Sequence, residues 1–336
     1  MLLILNRLYL TAAKAERIIR GVLHMKEKRY KHRSRTDGLL ISVLRMEPDD
    51  PKKIKGIVQL VHGMNEYKER YIPFMEYLAE NGYIAVIHDN RGHGESVESA
   101  EDLGFMYRGG YRGLIRDTYE ITKSIKVYAG NLTGRSDLPF TLLGHSMGSL
   151  IVRCYLREYD NELEKLCVLG SPSGKKGMKE GLALIKSLEK RKGPRARVGL
   201  IAGLVMGGYE KRFTKEGVDH SWINSDLDAV RAYNEDPLCN YNFTLNGYRN
   251  LVELTRLTYE DGGYVLNNPA LPIRFFSGAD DPCAVSLKAY KSAIGHLKKQ
   301  GYENVDGRWY MGMRHEILNE PKHKKVYEDI LAFIES

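Results

Sequence analysis

A chain of 336 residues is long for one core yet does not force two independent domains. With 43% apolar and 28% charged residues it can bury a sizeable core, which excludes disorder by composition. The 51 Lys and Arg against 43 Asp and Glu leave a net charge of +8, spread along the chain apart from Lys26 to Arg35 and Lys186 to Arg197. No basic run is interleaved with aromatic residues, so nucleic-acid binding is not expected; the charge is read as a solvated basic surface that leaves a peripheral membrane contact open.

Four cysteines, Cys154, Cys167, Cys239 and Cys283, have neither C-x-x-C nor paired spacing. That predicts reduced thiols in a cytoplasmic setting and no zinc site. No uninterrupted apolar run of about 18 residues exists, so no spanning helix is expected.

Residues 1–30 read as an N-terminal extension. The apolar start, Met1 to Leu5, precedes the first positive charge, the reverse of a signal peptide, and residues 1–24 could form an amphipathic helix. Leu39 to Met46 reads as an edge strand, followed by the turn-like Glu47-Pro-Asp-Asp-Pro51. Gly56 to Val61 is nearly continuous in apolar residues, the mark of a strand buried on both faces. Arg70 to Glu80 has helical apolar spacing and stops at Asn81-Gly82. Tyr83 to His88 is the next buried strand, and Gly113 to Tyr128 is helical. Pro139 to Leu143 is a strand leading into a helix over Ser149 to Tyr159, and Lys165 to Leu169 is a further strand.

From Ser171 to about Leu257 the strand signal vanishes, and Met178 to Arg191, Val198 to Met206 and Leu227 to Tyr233 are patterned as helices. Pro272 to Phe276 and Arg308 to Met311 are short strands, and Pro321 to Ile334 closes the chain as a helix. Alternating strands and helices predict an α/β fold with a mostly parallel sheet flanked by helices. The core would span 31–171 and 253–336, with a helical cap inserted over 172–252.

Gly144-His-Ser146-Met-Gly148 matches G-x-S-x-G. The match follows a buried strand and opens a helix, the context a nucleophile elbow needs. The sharp turn strains the backbone at the serine, and the flanking glycines let neighbouring backbone pass closely. A serine hydroxyl needs a base to take its proton and an acid to fix that base's tautomer. Where such an elbow supplies the nucleophile, acid and then base follow along the chain.

His315 stands past the last strand and before the last helix, as a base should, whereas His296 and His323 lie within helices. The acid belongs after Pro272 to Phe276, where Asp280 and Asp281 compete; the G-x-x-D spacing from Gly278 and the following Pro282 favour Asp281. Two backbone N–H groups are expected to receive the developing oxyanion, those of Met147 and Met64. His62, His93 and His145 read as loop-bracing or outward-facing. Trp222, Tyr233 and Phe243 read as cap core that could line an acyl channel, and Met147, Met178 and Met206 as packing.

At these residues the chain resembles the monoacylglycerol lipase and lysophospholipase group of α/β-hydrolases, a group also described as serine aminopeptidase-like. The likeness is carried by His62-Gly-Met-Asn-Glu66 with Arg70-Tyr71, Asp89-Asn-Arg-Gly-His-Gly-Glu-Ser96, Gly144-His-Ser-Met-Gly148, and Gly278-Ala-Asp-Asp-Pro282 with Arg314-His-Glu316. Ser221-Trp to Asp236-Pro, with Phe243-Thr244, is similar to the cap of bacterial members. The likeness runs from about residue 36 to the end; Asn90 stands where such proteins often carry another residue. It implies an α/β-hydrolase fold with a helical cap and a monoacylglycerol or lysophospholipid as substrate.

The expectation is therefore a serine esterase working through an acyl-enzyme, with no metal or organic cofactor. A peptidase of the proline-iminopeptidase type is the alternative, weakened because it needs an acidic cap site and the cap before residue 216 is rich in Lys and Arg. A ligand-binding pseudo-hydrolase is the third reading, and the presence of all three triad residue types argues against it.

Overall fold

The computed structural model describes residues 25–174, 177–206 and 208–336; the helix expected within 1–24 lies outside the described residues. Among the described residues eight strands build one sheet: β1 (Met25–Arg33), β2 (Leu40–Pro48), β3 (Gly56–Val61), β4 (Tyr83–His88), β5 (Phe140–His145), β6 (Lys165–Leu169), β7 (Ile273–Gly278) and β8 (Val305–Tyr310). Their spatial order is β1-β2-β4-β3-β5-β6-β7-β8. The pairs β1·β2 and β2·β4 are antiparallel, and every pair from β4 through β8 is parallel.

Every residue of β3, β4 and β5 is buried, because helices cover both faces. The pleat sends neighbouring residues to opposite cores: Ile57, Leu142 and Phe275 to one, Val58, Leu143 and Phe276 to the other. The first core is closed by α2 (Gly110–Thr133), α3 (Met147–Tyr159), α7 (Leu245–Thr258) and α8 (Leu287–Lys299). The second is closed by α1 (Ile72–Glu80) and α9 (His323–Glu335), through Phe74, Leu78, Val326 and Ile330. Emptying such a position, for example Leu142→Ala, costs about 2 to 5 kcal/mol.

Two expectations are corrected at the start of the chain. Residues 25–30, read as part of the extension, belong to β1, which pairs with β2 from Met25↔Pro48 to Arg33↔Leu40. Consequently β2 is not the edge of the sheet. β1 is rich in Lys and Arg and mostly exposed, so it carries no apolar run to be read; a basic edge of this kind resists pairing with a second chain.

Between β6 and β7 the chain passes through α4 (Met178–Lys192), α5 (Gly199–Met206), α6 (Leu227–Glu235) and then α7. Thr244 caps α7, its hydroxyl accepting the N–H of Gly247. α7 packs on α2 and α3 as well as on α4, so it joins the layer over the sheet to the helices above it. No described helix is long and apolar enough to cross a membrane.

Candidate active site

The parallel strands end along one rim, and there the sequence-separated residues meet. β5 runs into Ser146, and α3 starts at the next residue. Ser146 has φ 54° and ψ −119°, a conformation that costs a non-glycine residue about 1 to 3 kcal/mol. The surroundings enforce it. A Cβ on Gly144 would strike the backbone of Gly148, and one on Gly148 would strike the carbonyl of Val61. A Cβ on Gly63, in the loop after β3, would lie 2.8 Å from the Cβ of Ser146. Glycine at these three positions lets β3, β5 and α3 close around the serine.

The Ser146 hydroxyl donates to Nε2 of His315 at 2.8 Å, and Nδ1–H of His315 donates to Oδ2 of Asp281 at 2.9 Å. Oδ1 of Asp281 accepts the N–H of Cys283 at 2.8 Å, which fixes the carboxylate plane. A carboxylate only accepts, so Asp281 selects the tautomer that leaves Nε2 free to take the serine proton. Asp281 and His315 are each 3% exposed. Asp280 turns the other way and pairs with Arg212. The structure thus brings together Ser146, His315 and Asp281, and leaves Asp280 outside.

Met147 is the first residue of α3, where backbone N–H groups have no partner within the helix, and Met64 follows Gly63 in the loop after β3. Both line the same cavity of about 740 Å³ as Ser146 and His315. Its walls are mainly apolar, from Leu150 on α3, Ile185 on α4, Ile201 and Leu204 on α5, and Leu251 on α7. Trp222 and Tyr233 line it too, as do Met178 and Met206; Phe243 is instead buried in the core. The Trp222 ring lies 5.0 Å from the His315 ring and shields it. Among the described residues the side chains of Asp281, Cys283 and His315 are close enough to share a metal ion, with ligand atoms within 4.8 Å of one another. Both nitrogens of that imidazole are already engaged with Ser146 and Asp281.

The loop histidines behave as braces. Nε2 of His62 accepts the N–H of Asn90 at 2.8 Å and its Nδ1–H donates to the carbonyl of Gly63 at 2.8 Å. Burial, aided by His93, pushes His62 well below the ordinary imidazole range, so it stays neutral. In the loop after β4, Asp89 takes the Nζ of Lys68 at 2.7 Å and the N–H groups of Lys68 and Glu95 at 2.8 Å each.

Sequence reasoning missed the partners of His145, read as facing away. Its Nδ1 contacts Oε1 of Glu66 at 3.0 Å and the Tyr71 hydroxyl at 3.0 Å, and its Nε2 contacts the carbonyl of His315 at 3.1 Å. Arg70 reaches Glu316 at 2.6 and 2.7 Å. All of these residues stand in motifs that carry the family likeness, but nothing in the spacing announces the contacts.

Fold and site together define an α/β-hydrolase. The family model described as serine aminopeptidase, S33, matches residues 52–322, and the chain belongs to that family. It is 25% identical over 293 residues to a monoacylglycerol lipase of Mycolicibacterium smegmatis, covering 86% of this chain and 90% of the relative. To phospholipase YtpA of Bacillus subtilis it is 24% identical over 281 residues, covering 83% and 94%. A thermostable carboxyl esterase of Bacillus coagulans, solved with glycerol, superposes with a TM-score of 0.81 at 23% identity over 92% of this chain and 98% of the other. A monoglyceride lipase of Saccharomyces cerevisiae, solved with a substrate analogue, gives 0.67 at 19% identity over 92% and 94%.

Proposed function

We propose that the chain is a serine hydrolase that cleaves the carboxylic ester of a monoacylglycerol or lysophospholipid through an acyl-enzyme. The observation that carries the reading is the relay Ser146 Oγ–His315 Nε2–Asp281, with bonds of 2.8 and 2.9 Å, whose serine and histidine line a mainly apolar cavity. His315 takes the Ser146 proton as Oγ attacks the ester carbonyl. The N–H groups of Met64 and Met147 receive the negative charge that forms on the carbonyl oxygen. His315 then protonates the departing alcohol. It next takes a proton from water, which attacks the acyl carbon, and returns that proton to Ser146 Oγ as the acyl–oxygen bond breaks and the fatty acid leaves. Asp281 holds the imidazole in register and stabilises its charged form.

A cavity of about 740 Å³ is within the usual range for small-molecule sites, and its apolar walls suit an acyl chain. The names of the lipase and phospholipase relatives support a lipid ester. Leu200 and Leu204 on α5 are 64% and 62% exposed, and Leu204 also lines the cavity. A peripheral contact with a lipid surface at α5 is therefore part of the reading. The four buried free cysteines fit a reducing compartment, and the cytoplasm is the proposed location.

A substrate panel tests the reading: p-nitrophenyl esters of increasing chain length, monoacylglycerols, lysophospholipids and aminoacyl-anilides. Turnover of the esters with none of the anilides is expected. Cleavage of aminoacyl-anilides without ester turnover would refute the esterase assignment and favour the peptidase.

A further inference from the structure

Three donors converge on one carboxylate oxygen beside the elbow. Oε1 of Glu66 accepts the N–H of Gly63, the Tyr71 hydroxyl at 3.0 Å and the Nδ1–H of His145 at 3.0 Å. Across the same imidazole, Nε2–H of His145 donates to the backbone carbonyl of His315 at 3.1 Å. A continuous hydrogen-bonded line thus runs from the loop Gly63-Met64 to the main chain of the residue that carries the base. We propose that Glu66 and His145 are positioning residues: a buried strut that sets the distance between the N–H of Met64 and the imidazole of His315. The inference rests on the serine-hydrolase reading above and adds two side chains to it.

The donor count supports the strut. Glu66 Oε1 and the His315 carbonyl oxygen, on opposite sides of the ring, both act as acceptors, so the ring serves both when each nitrogen bears hydrogen. Burial opposes the charged ring, but the Glu66 carboxylate, by charge and hydrogen bond, outweighs it and raises the His145 pKa. In the same way burial would raise Glu66, but His145 beside it brings it down to about 2. Each group thus favours the charged form of the other, and the hydrogen bond between them holds both in place.

The frame around the strut has little slack. A Cβ on Gly170 would lie 3.2 Å from both Nε2 of His145 and the carbonyl oxygen of His315. A second tie runs alongside: Arg70, four residues after Glu66, grips Glu316, the residue after His315. The N–H of Glu316 is itself fixed on the carbonyl of Ile223 at 2.8 Å. Segments 63–71 and 315–316 are joined twice, once through His145 and once through Arg70. The strut bonds go to the frame around Ser146, while the Ser146 hydroxyl bonds to His315. Loosening the strut would let the oxyanion donor and the base drift apart, and a displacement near 1 Å can cost about 10²-fold in rate.

The test uses the full-length wild type, Glu66→Gln, His145→Gln and the double variant, with p-nitrophenyl butyrate as substrate. Rates are expressed per serine titrated by a fluorophosphonate, so that unfolded protein is not counted. Each single variant is expected to lose on the order of 10²-fold in kcat with KM within about threefold of wild type. The double variant should be no worse than the worse single one, since the two residues act as one unit. The Ki of an alkyl trifluoromethyl ketone, which mimics the tetrahedral intermediate, should rise in proportion to the loss in kcat/KM, a response that mere loss of folded protein does not produce.

Wild-type turnover per titrated serine in the single variants, or losses that multiply in the double variant, overturns the strut. If Glu66→Gln does not fold, Glu66→Asp, which keeps the charge but shortens the reach, takes its place in the same comparison. A wild type that the fluorophosphonate does not label removes the hydrolase reading itself. A labelled wild type with unaffected variants removes this inference alone.

Discussion

Gly148 sits so close beneath β3 that a methyl group on its α carbon would collide with the carbonyl oxygen of Val61. Both partners are backbone, one in a central strand and one in the first turn of α3, so neither can swing aside. Gly148→Ala is expected to cost on the order of 3 kcal/mol, read as a fall in Tm. Gly181→Ala is the control: a Cβ there meets nothing within 4 Å, and alanine is the better helix former, so Tm should hold or rise. Equal Tm values for the two variants would contradict the crowding argument.

Asp281 and Asp280 are adjacent in sequence but meet different partners, His315 and Arg212. Asp281→Asn should lower kcat about 10⁴-fold, because the amide no longer enforces the tautomer that keeps Nε2 free. Asp280 pairs with Arg212, whose side chain is 57% exposed, and such a surface pair contributes little. Asp280→Asn should therefore keep activity within about threefold of wild type. The reverse order of effects would move the acid to Asp280.

His88, at the end of β4, is 1% exposed and neither ring nitrogen has a hydrogen-bond partner among the described residues. Burial, with His32 and Arg91 nearby, holds its pKa down to about 3. The unfolded ring takes a proton near pH 6.5 while the folded ring does not, so the stability it carries is complete above pH 6.5. That stability is lost as pH falls from there towards 3, with a cost of about 2 kcal/mol by pH 5. His93, held at about 4, again mainly by burial, acts in the same direction. His88→Leu should match or exceed the wild-type Tm at pH 7.5 and show a pH 7.5-to-5 drop smaller by a few °C. An unchanged drop would contradict the burial argument.

The exposed leucines of α5 predict a split between soluble and aggregated substrate. Leu200→Ser, at an exposed position outside the cavity wall, should leave turnover of p-nitrophenyl acetate near wild type and lower turnover of long-chain monoacylglycerol in vesicles severalfold, since an exposed apolar helix face gains its affinity from burial in the lipid interface. Parallel losses on both substrates would point to damage of the cavity instead.

Much of this organisation is legible in the sequence because buried parallel strands read as apolar runs and an elbow needs its two glycines. The runs Gly56 to Val61 and Tyr83 to His88 coincide with β3 and β4. β1 escapes such reading because its partner strand, not a core, holds it, and its side chains are mostly charged and exposed. α7 was within reach: Thr244 as cap and Leu245, Tyr248, Leu251 and Leu254 at helical spacing announce it. The pairing of Glu66 with His145 was not, because it joins residues 79 apart through a contact that no local pattern encodes. Sequence spacing also favoured Asp281 over Asp280, but only the direction in which each carboxylate turns shows which one meets His315.

Mass analysis after reaction with a fluorophosphonate at neutral pH tests the central claim most directly. The account predicts one adduct per chain, mapped to the peptide carrying Ser146, and none on Ser146→Ala of unchanged Tm. An unmodified wild type, or an adduct that persists in Ser146→Ala, would contradict it.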